Sequence, residues 1–351
     1  MAGLYLIICL EPEMKKNNPP SFILAGQLKR ETILTPSGKV WVDVPGGNLL
    51  YAAAGFGVWE KDIGLLSRVG EDYPHEWLDR FEKFGFSTRG IVIIPEPIDL
   101  RSFITFTNPQ TIFTDNPVSH FARIGQPFPR ELLGYISNES LIDSRYQPSI
   151  LTLRVNDLPD EYLDATAAHL CPMDFLSHML YPPALRHGNI STITIDPSPG
   201  YMNSTFWDDI PKIIGGITAF ITSEEKIRNL FAGRTDDLWE MAEALATYGC
   251  EMIVINRGEN GQNLYDNSSH TRWEVPVYPV EVIDPTGRDD AFCGGFLAGY
   301  HQTYLPLKAV LLGNISASLA VQGTGAFYPM DAMPGLAQAR LEVLQEMVVK
   351  A

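Results

Sequence analysis

The feature that most constrains the fold is a regular alternation of short apolar runs with helical patterns through the second half of the chain. The strand-like runs span residues 149–153, 190–195, 217–221 and 252–255. Before the last run, Thr235 is placed to cap an amphipathic helix and Gly249 to end it. Strands that alternate with helices indicate βαβ units, so we predict a three-layer α/β fold around a mostly parallel sheet.

A second pattern, over residues 91–114, predicts a small β-layer attached to this body. Residues 91–94, 102–106 and 111–113 are strand-like runs separated by turns that contain Pro or Asn. Such spacing is typical of hairpins, and a β-layer attached to an α/β body can serve as a lid. No linker separates the two, so we expect one domain over residues 22–351. Residues 1–21 form an N-terminal extension in this prediction, because the Pro19-Pro20 pair interrupts regular structure.

The charge and cysteine content narrow the classes of function. The chain has 26 Lys and Arg against 42 Asp and Glu, a formal net charge of −16, which argues against a broad basic face for nucleic acid or an anionic membrane. Its cysteines are scattered at Cys9, Cys171, Cys250 and Cys293, which favours a reducing compartment over a disulfide scaffold. No apolar run approaches the roughly 20 residues that span a bilayer, and the short apolar start lacks the features of a signal peptide. We therefore expect a cytoplasmic protein.

Residues 283–300 carry the clearest chemical signal. A strand is predicted to end near Ile283, a turn with Gly287 follows, and a helix rich in small residues is predicted to begin at about Asp290. Exposed amides at a helix start, with the helix dipole behind them, form a ready anion site. An acidic residue in that turn can act as a base toward a hydroxyl beside the anion, which suits phosphoryl transfer. The simpler alternative is a capped helix in which Asp289 or Asp290 is the N-cap.

This segment resembles the C-terminal signature of the ribokinase-like (PfkB) carbohydrate kinases, D-T-x-G-A-G-D-x-F-x-G-G-F. The positions that match the signature are Asp284, Thr286, Gly287, Asp290, Phe292, Gly294, Gly295 and Phe296. Other segments resemble further motifs in the family's order: Gly46-Gly47 with Ala52-Ala53, residues 67–72, Asp196-Pro197 with Trp207, residues 253–261, Gly313-Asn314 and residues 320–326. The resemblance extends over most of the chain, from residue 22 to residue 329.

The resemblance implies a Rossmann-like α/β sheet with a β-lid. It also implies transfer of the γ-phosphate of ATP, bound with Mg²⁺, to the hydroxymethyl group of a sugar or nucleoside. Asp290 would be the general base, and the turn formed by Gly287, Arg288 and Asp289 would stabilise the transferring phosphoryl group through its amides. Lids of this family often pair between subunits, so a homodimer is expected. The expected partner is a small polyhydroxylated substrate, with neither nucleic acid nor membrane involved.

The resemblance further implies which residues contact the two substrates. The substrate side comprises Glu31, Gly46, Gly47 and Tyr51, and the nucleotide side comprises Asn256, Gly258, Gly261 and Asn314. The paired glycines would let the backbone approach a sugar. Tyr51 stands where the family has an amide, and its ring could either stack on a sugar or base or fill the pocket. Glu31 lies near the position of a family aspartate.

Several departures from the family motifs fall on functional positions. Asp289 replaces the second glycine of G-A-G-D, and the run that matches the metal-linked N-x-x-E begins at Ser223 and ends at Lys226. Gly200 stands where D-P-N-x-R has its arginine. Two interpretations therefore stay open, and the metal ligands stay unassigned. The chain is either a divergent kinase, in which Arg288 and Lys226 supply positive charge, or a kinase-like protein that has lost phosphotransfer and binds a ligand or a partner.

One other constellation deserves comparison with this site. His169, Cys171, Asp174 and His178 are of types that bind metals. However, His169 and Cys171 fall at a predicted strand end that would face the sugar, and Asp174 and His178 lie four residues apart on a predicted helix. We therefore favour a packing role for these residues over a metal site.

Overall fold

The computed structural model describes residues 19–108, 111–137 and 142–350. Most of the predicted N-terminal extension, with Cys9, lies outside the described residues. The strands are β1 Phe22–Ala25, β2 Lys29–Leu34, β3 Val40–Gly46, β4 Ile63–Gly70, β5 Phe86–Ile94, β6 Arg101–Asn108, β7 Thr111–Phe113, β8 Ala167–Leu170, β9 Thr192–Ile195, β10 Ala219–Ser223, β11 Met252–Asn256, β12 Gln262–Asp266, β13 Thr271–Val275 and β14 Val349–Lys350. The helices are α1 Asn48–Gly57, α2 His75–Lys83, α3 Pro117–Arg123, α4 Phe175–Leu185, α5 Ile210–Ile214, α6 Glu224–Leu230, α7 Leu238–Ala246, α8 Arg288–Thr303, α9 Pro306–Ala320 and α10 Leu336–Glu346.

A ten-stranded sheet forms the centre of the molecule. Its order is β14-β13-β12-β11-β10-β9-β8-β1-β4-β5. The strands from β11 to β5 in that order pair in parallel, and β12, β13 and β14 extend one edge in antiparallel pairs. None of the helices in the described part of the chain is long and apolar enough to cross a membrane.

Helices cover both faces of this sheet because its strands are apolar on both sides. In β1, Ile23 and Ala25 pack into the core beneath α4, α5, α6 and α7. The alternate residues Phe22 and Leu24 pack on the other face with α1, α2 and α8. Further along that second face, α8, α9 and α10 cover β11 and β12. The predicted three-layer α/β fold is confirmed.

Close helix packing fixes the position of α8. A Cβ atom on Gly294 would lie 1.9 Å from the Ala52 carbonyl oxygen of α1, and one on Gly295 would lie 2.3 Å from the Ser316 hydroxyl of α9. Only glycine admits this approach, so α8 is held between α1 and α9 with little freedom to shift. Its first turn is thereby fixed with respect to the strand ends.

The second sheet is a four-stranded lid in the order β3-β2-β6-β7. It confirms the predicted lid, but its boundaries differ from those expected. Residues 91–94 belong to β5 at the edge of the large sheet, and two strands from before α1 complete the lid. The pairing of β2 with β6 is parallel and joins Arg30 to Arg101. Because β2 and β6 are far apart in the sequence, no local turn signal predicts that they pair.

Three smaller predictions are wrong. Residues 149–153 form a turn, in which the Thr152 hydroxyl accepts from the Ser149 amide at 2.7 Å, and not a strand. Asp237 rather than Thr235 caps α7, because its carboxylate accepts from the amides of Trp239 and Glu240. Helix α8 begins at Arg288, two residues earlier than expected, with Gly287 as its N-cap.

The lid has two different faces. Leu34 and Phe103 pack outward against Phe121 of α3 and against Leu132, which together form a small separate core. Ile104 and Phe106, on the opposite face, border a cavity above the first turn of α8. The lid therefore presents an apolar surface to the interior of the molecule.

Candidate active site

The first turn of α8 follows an extended loop and a turn that begins at Asp284. The Asp284 carboxylate accepts from the Thr286 amide at 3.0 Å and from the Thr286 hydroxyl at 2.6 Å. These two hydrogen bonds close the turn, and Gly287 lies in the left-handed region, with φ of 71°. The amides of the first helical turn have no partners within the helix and carry the positive end of its dipole. The predicted turn and helix start are therefore present, but the strand expected to end near Ile283 is not, because residues 276–283 form no strand.

Tyr51 connects this turn to the predicted substrate residue Glu31. A Cβ atom on Gly287 would lie 2.1 Å from the Tyr51 ring, so the ring rests directly against the turn. The Tyr51 hydroxyl donates to one Glu31 oxygen at 2.9 Å. Tyr51 is 3% exposed and lines the cavity above the turn, so its ring packs between the turn and the lid.

Gly46 and Gly47 shape the surroundings of Glu31. The Gly47 amide donates to the other Glu31 oxygen at 2.7 Å. A Cβ atom on Gly46 would lie 2.1 Å from the Glu31 carboxyl carbon. Gly46 is thus required to admit this carboxylate, and Gly47, with φ of 94°, turns the chain from β3 into α1.

A cavity of about 280 Å³ lies between the lid and the first turn of α8. Its walls come from β2, α1, the lid and the turn: Glu31, Asn48, Tyr51, Ile104, Phe106, Ile112, Pro285, Thr286, Gly287, Arg288, Asp289 and Asp290. We call it the acceptor cavity. Ile104, Phe106 and Ile112 of the lid were missed by sequence reasoning, because apolar strand residues carry no signal of a pocket, and Asn48 was missed as well.

A second cavity, of about 230 Å³, lies on the other side of the same turn. Its lining consists of Asn256, Gly258, Glu259, Gln262, Val277, Tyr278, Pro279, Val280, Val282, Arg288, Asp289, Phe292, Asn314, Ala317, Ser318 and Val321. We call it the nucleotide cavity. Arg288 and Asp289 border both cavities, so the two spaces meet at the start of α8.

Three of the four predicted nucleotide residues line this second cavity, and Gly261 does not. Gly261 packs behind it, where a Cβ atom would lie 2.0 Å from the Val275 carbonyl oxygen. The Asn314 side chain accepts from the Tyr278 amide at 2.9 Å and donates to Gln262 at 2.8 Å, which holds the cavity wall in place. The Asn256 side-chain oxygen is buried and has no partner among the described residues.

A buried ion pair occupies the position of the family's metal-linked motif. Ser223 caps α6 by accepting from the Lys226 amide at 3.2 Å, which turns the Lys226 side chain toward the end of β9. Its ammonium group contacts the Asp196 carboxylate and donates to the Pro197 carbonyl oxygen at 3.0 Å. Burial alone would lower the pKa of Lys226, but the Asp196 carboxylate outweighs it and raises that pKa.

Three carboxyl groups of the site, those of Glu31, Asp196 and Asp290, have raised pKa values. Loss of hydration is the main cause for Asp290, whose pKa rises to about 8, and the charges of Asp196 and Asp289 raise it further. Burial raises the pKa of Glu31 to about 7, although the bonds from Gly47 and Tyr51 oppose the shift. Burial likewise raises the pKa of Asp196 to about 6, against the effect of Lys226. A group with a pKa near neutrality is suited to proton transfer.

Arg288 and Asp289 partly neutralise each other at the turn. The guanidinium Nε lies 3.1 Å from the Asp289 carboxylate, and this charge is the main cause that raises the pKa of Arg288. Within the described residues, no group of three His, Cys, Asp or Glu side chains is arranged to hold a metal ion. A divalent ion here would need ligands from a bound nucleotide, the usual mode for Mg²⁺.

The histidines considered as metal ligands make hydrogen bonds within the core. His178 bonds to the Tyr201 hydroxyl at 2.5 Å and to the Cys171 carbonyl at 3.0 Å. His169 bonds to the Thr194 hydroxyl at 2.9 Å. Burial lowers the pKa of both rings to about 3, so they are neutral.

Known proteins share both sequence and fold with this chain. Residues 186–333 match the model of the pfkB family carbohydrate kinases. Over 293 residues the chain is 26% identical to a cytidine kinase of Thermococcus kodakarensis, and the alignment covers 83% of this chain and 92% of that protein.

Two solved structures have similar folds at low sequence identity. One is described as a ribokinase II of E. coli in complex with ATP and Mg²⁺, with a TM-score of 0.66, 16% identity, and coverage of 93% of this chain and 99% of that chain. The other is a nucleoside kinase of Methanocaldococcus jannaschii, described as an archaeal member of the ribokinase family, with a TM-score of 0.64, 16% identity and coverage of 93% and 99%. Together with the matched motifs, these similarities support a divergent ribokinase-like PfkB carbohydrate kinase, and the solved structures show that its fold is that of the ribokinase family.

Proposed function

We propose that the protein is an ATP-dependent phosphotransferase that acts on the hydroxymethyl group of a sugar or nucleoside. The observation that carries the proposal is the meeting of two cavities at Arg288 and Asp289. An acceptor in one cavity and a nucleotide in the other would have the first turn of α8 between them. Phosphoryl transfer needs little more from a protein than such positioning and a stabilised negative charge.

In this proposal each residue of the turn has its own task. Asp290 borders the acceptor cavity and would take the proton of the attacking hydroxyl. The amides of the first α8 turn and the Arg288 guanidinium would stabilise the phosphoryl oxygens. Bound ATP with Mg²⁺ would supply the phosphoryl group and neutralise its charge, and Asp289 and Asp290 are the carboxylates of the turn that would be available to that ion.

The relatives support the proposal and widen the set of candidate substrates. The relative that aligns over 293 residues is named a cytidine kinase, and one structural neighbour is named a nucleoside kinase. Another neighbour was solved with ATP and Mg²⁺. We therefore place nucleosides beside sugars as the first substrates to test.

A second candidate is a kinase-like protein that binds a ligand or partner without phosphotransfer. The Lys226–Asp196 ion pair favours it, because an ammonium group stands where the family has a carboxylate linked to the metal. The charge of Asp289 favours it as well, since like charges oppose the entry of a phosphate. The two candidates differ in whether ATP is consumed.

The test is ADP release from ATP and Mg²⁺ with a panel of sugars and nucleosides that includes ribose and cytidine. Asp290→Asn should lower kcat by about 10²–10⁴-fold, as loss of a general base does, while calorimetric ATP binding stays near the wild-type value. In the wild type, kcat should rise with pH through about 8, because the base must lose its proton.

The exposed Asp79 of α2 provides a control, and Asp79→Asn should leave both properties unchanged. No detectable ATP binding by the wild type at millimolar concentration would contradict the kinase proposal and favour the binding protein. Full activity of Asp290→Asn would remove Asp290 from the role of base.

A further inference from the structure

The charges that line the acceptor cavity are unbalanced. Glu31, Asp289 and Asp290 contribute three carboxyl groups, and Arg288 contributes the single guanidinium among the lining residues. Since Arg288 already contacts Asp289 at 3.1 Å, Glu31 and Asp290 have no cation beside them in that lining. Burial is the main cause that raises the pKa of Asp290, and the charge of Glu31 raises it slightly further, although Lys226 opposes the shift.

The Glu31 carboxylate is buried and held in a fixed orientation, unlike a mobile charged side chain on the surface. It is 3% exposed, and its two oxygens are oriented by the Gly47 amide and the Tyr51 hydroxyl at 2.7 and 2.9 Å. A carboxylate has about four lone-pair sites, so two neutral donors leave it able to accept further bonds. Lys29 of the same strand lowers the pKa of Glu31, but less than burial raises it.

The lid wall of the cavity offers no hydrogen-bond donor to an anion. Ile104, Phe106 and Ile112 form the lid side of the cavity, and these side chains have no donors. Apart from Asn48, whose side chain is held by the Gln27 amide and the Pro172 carbonyl oxygen, the donors available to an anionic group are the first α8 turn and Arg288, which the proposed function assigns to the transferring phosphoryl group. A carboxylate or phosphate on the acceptor would therefore compete for that turn or face like charges.

We propose that the acceptor cavity selects hydroxylated substrates that carry an amino group, which binds beside Glu31, and that it rejects sugar acids and sugar phosphates. This inference rests on the proposed function only in treating the cavity as the acceptor site. The ionised form of Glu31 would be stabilised by an adjacent ammonium group. The apolar lid would cover the hydrocarbon face of the substrate.

The test is calorimetric binding at pH 7.5 of three ligands that differ at one position and keep the same hydroxymethyl group: 1-amino-1-deoxy-D-fructose, D-fructose and 2-keto-D-gluconate. A second series on a nucleoside frame uses 5-aminomethyluridine, 5-hydroxymethyluridine and 5-carboxyuridine. In at least one series, the wild type should bind the amino ligand about tenfold more tightly than the neutral one and the acid about tenfold more weakly.

Glu31→Gln should reduce the amino-to-neutral preference to about threefold or less, because glutamine keeps hydrogen-bonding groups but carries no charge. Glutamine keeps an acceptor for the Gly47 amide, and its amino group can donate to the Tyr51 hydroxyl, so the fold is expected to tolerate it. The exposed Glu346 of α10 gives a control with the same change of charge, and Glu346→Gln should change none of the affinities.

Three outcomes would overturn the inference: equal binding of the three ligands, tighter binding of the acid, or a preference that survives Glu31→Gln. Failure of both series to bind would overturn it as well. No ATP is present in this experiment, so loss of the proposed phosphotransfer would appear separately as an absence of ADP release. An amino preference without ADP release would leave the inference standing and the proposed function defeated.

Discussion

Asp289 is the residue that most alters the phosphate turn. Its carboxylate is half-exposed beside both cavities and bonds to the Arg288 guanidinium at 3.1 Å. Asp289→Gly should tighten calorimetric ATP binding by about threefold to tenfold, because it frees Arg288 and removes a negative charge that faces phosphate. The gain should shrink at high salt, where exposed charges are screened.

Asp289→Asn separates charge from backbone freedom, because it keeps the shape of the side chain. We expect it to reproduce most of the gain in ATP affinity. Weaker binding of ATP by both variants in the presence of Mg²⁺, but not in its absence, would show that Asp289 instead helps to hold the ion.

The sequence pattern named several residues that the structure brings together at the start of α8, but not their immediate contacts. Asp290, Gly287 and Arg288 follow from a local pattern of strand end, turn and helix start. The partner of Lys226 does not, because Asp196 lies thirty positions away in the sequence and the two meet only after β9 and β10 pair. The role of Gly46 is of the same kind, since it depends on the position of Glu31 on a neighbouring strand.

At the scale of elements, the Lys226–Asp196 ion pair joins α6 to the end of β9. The Lys226 and Asp196 side chains are 15% and 5% exposed. Lys226→Met should lower the free energy of unfolding by about 3–5 kcal/mol, because it leaves the buried Asp196 carboxyl group without its cation. Urea denaturation at pH 7 measures this difference.

The matched control is Lys212, which pairs with Asp209 but is 58% exposed. Lys212→Met should cost at most about 1 kcal/mol, as is usual for a pair on the surface. Equal losses for the two variants would mean that burial does not decide the strength of the Lys226 contact. Additional replacement of Asp196 by Asn in the Lys226→Met variant should recover part of the loss.

Only part of the lid could be predicted from the sequence. The β6–β7 hairpin was predicted because its turn is local. Strands β2 and β3 were missed, since they lie before α1 in the sequence and their charged and proline residues weaken the strand pattern. Residues 91–94 were assigned to the lid because an edge strand, with Ile93 43% exposed, has the same half-apolar pattern as a lid strand.

At the scale of the whole molecule, two expectations remain predictions. One is the division into an extension over residues 1–21 and a single domain from residue 22. The other is a homodimer formed through the lid. The outer lid face is covered by Phe121 of α3 and by Leu132, so a dimer through that face would have to displace them. Light scattering on the intact chain decides the oligomeric state.

Titration of the site should make the stability of the whole molecule depend on pH. The pKa values of Asp290 and Glu31 are raised to about 8 and about 7. In the folded protein these groups hold protons at a pH where the unfolded chain has lost them. Their contribution to stability is therefore complete below about pH 4 and is lost as pH rises through 7 and 8. His169 and His178, with pKa values lowered to about 3, act in the opposite direction, but only below about pH 6.5.

Above about pH 7 the histidine contribution no longer changes, so only the loss of stability caused by ionisation of Asp290 and Glu31 should remain. Between pH 7.0 and 8.5 we expect the free energy of unfolding, measured by urea denaturation, to fall by about 1–2 kcal/mol. Asp290→Asn should remove most of this fall, because asparagine does not titrate, and Glu31→Gln should remove a smaller part, since Glu31 is already half-ionised at pH 7. Glu346→Gln, at an exposed position, should retain the full slope. A wild-type stability that is flat or rising over this interval would show that Asp290 is ionised at neutral pH. In that case the proposed rise of kcat through about pH 8 would fail with it.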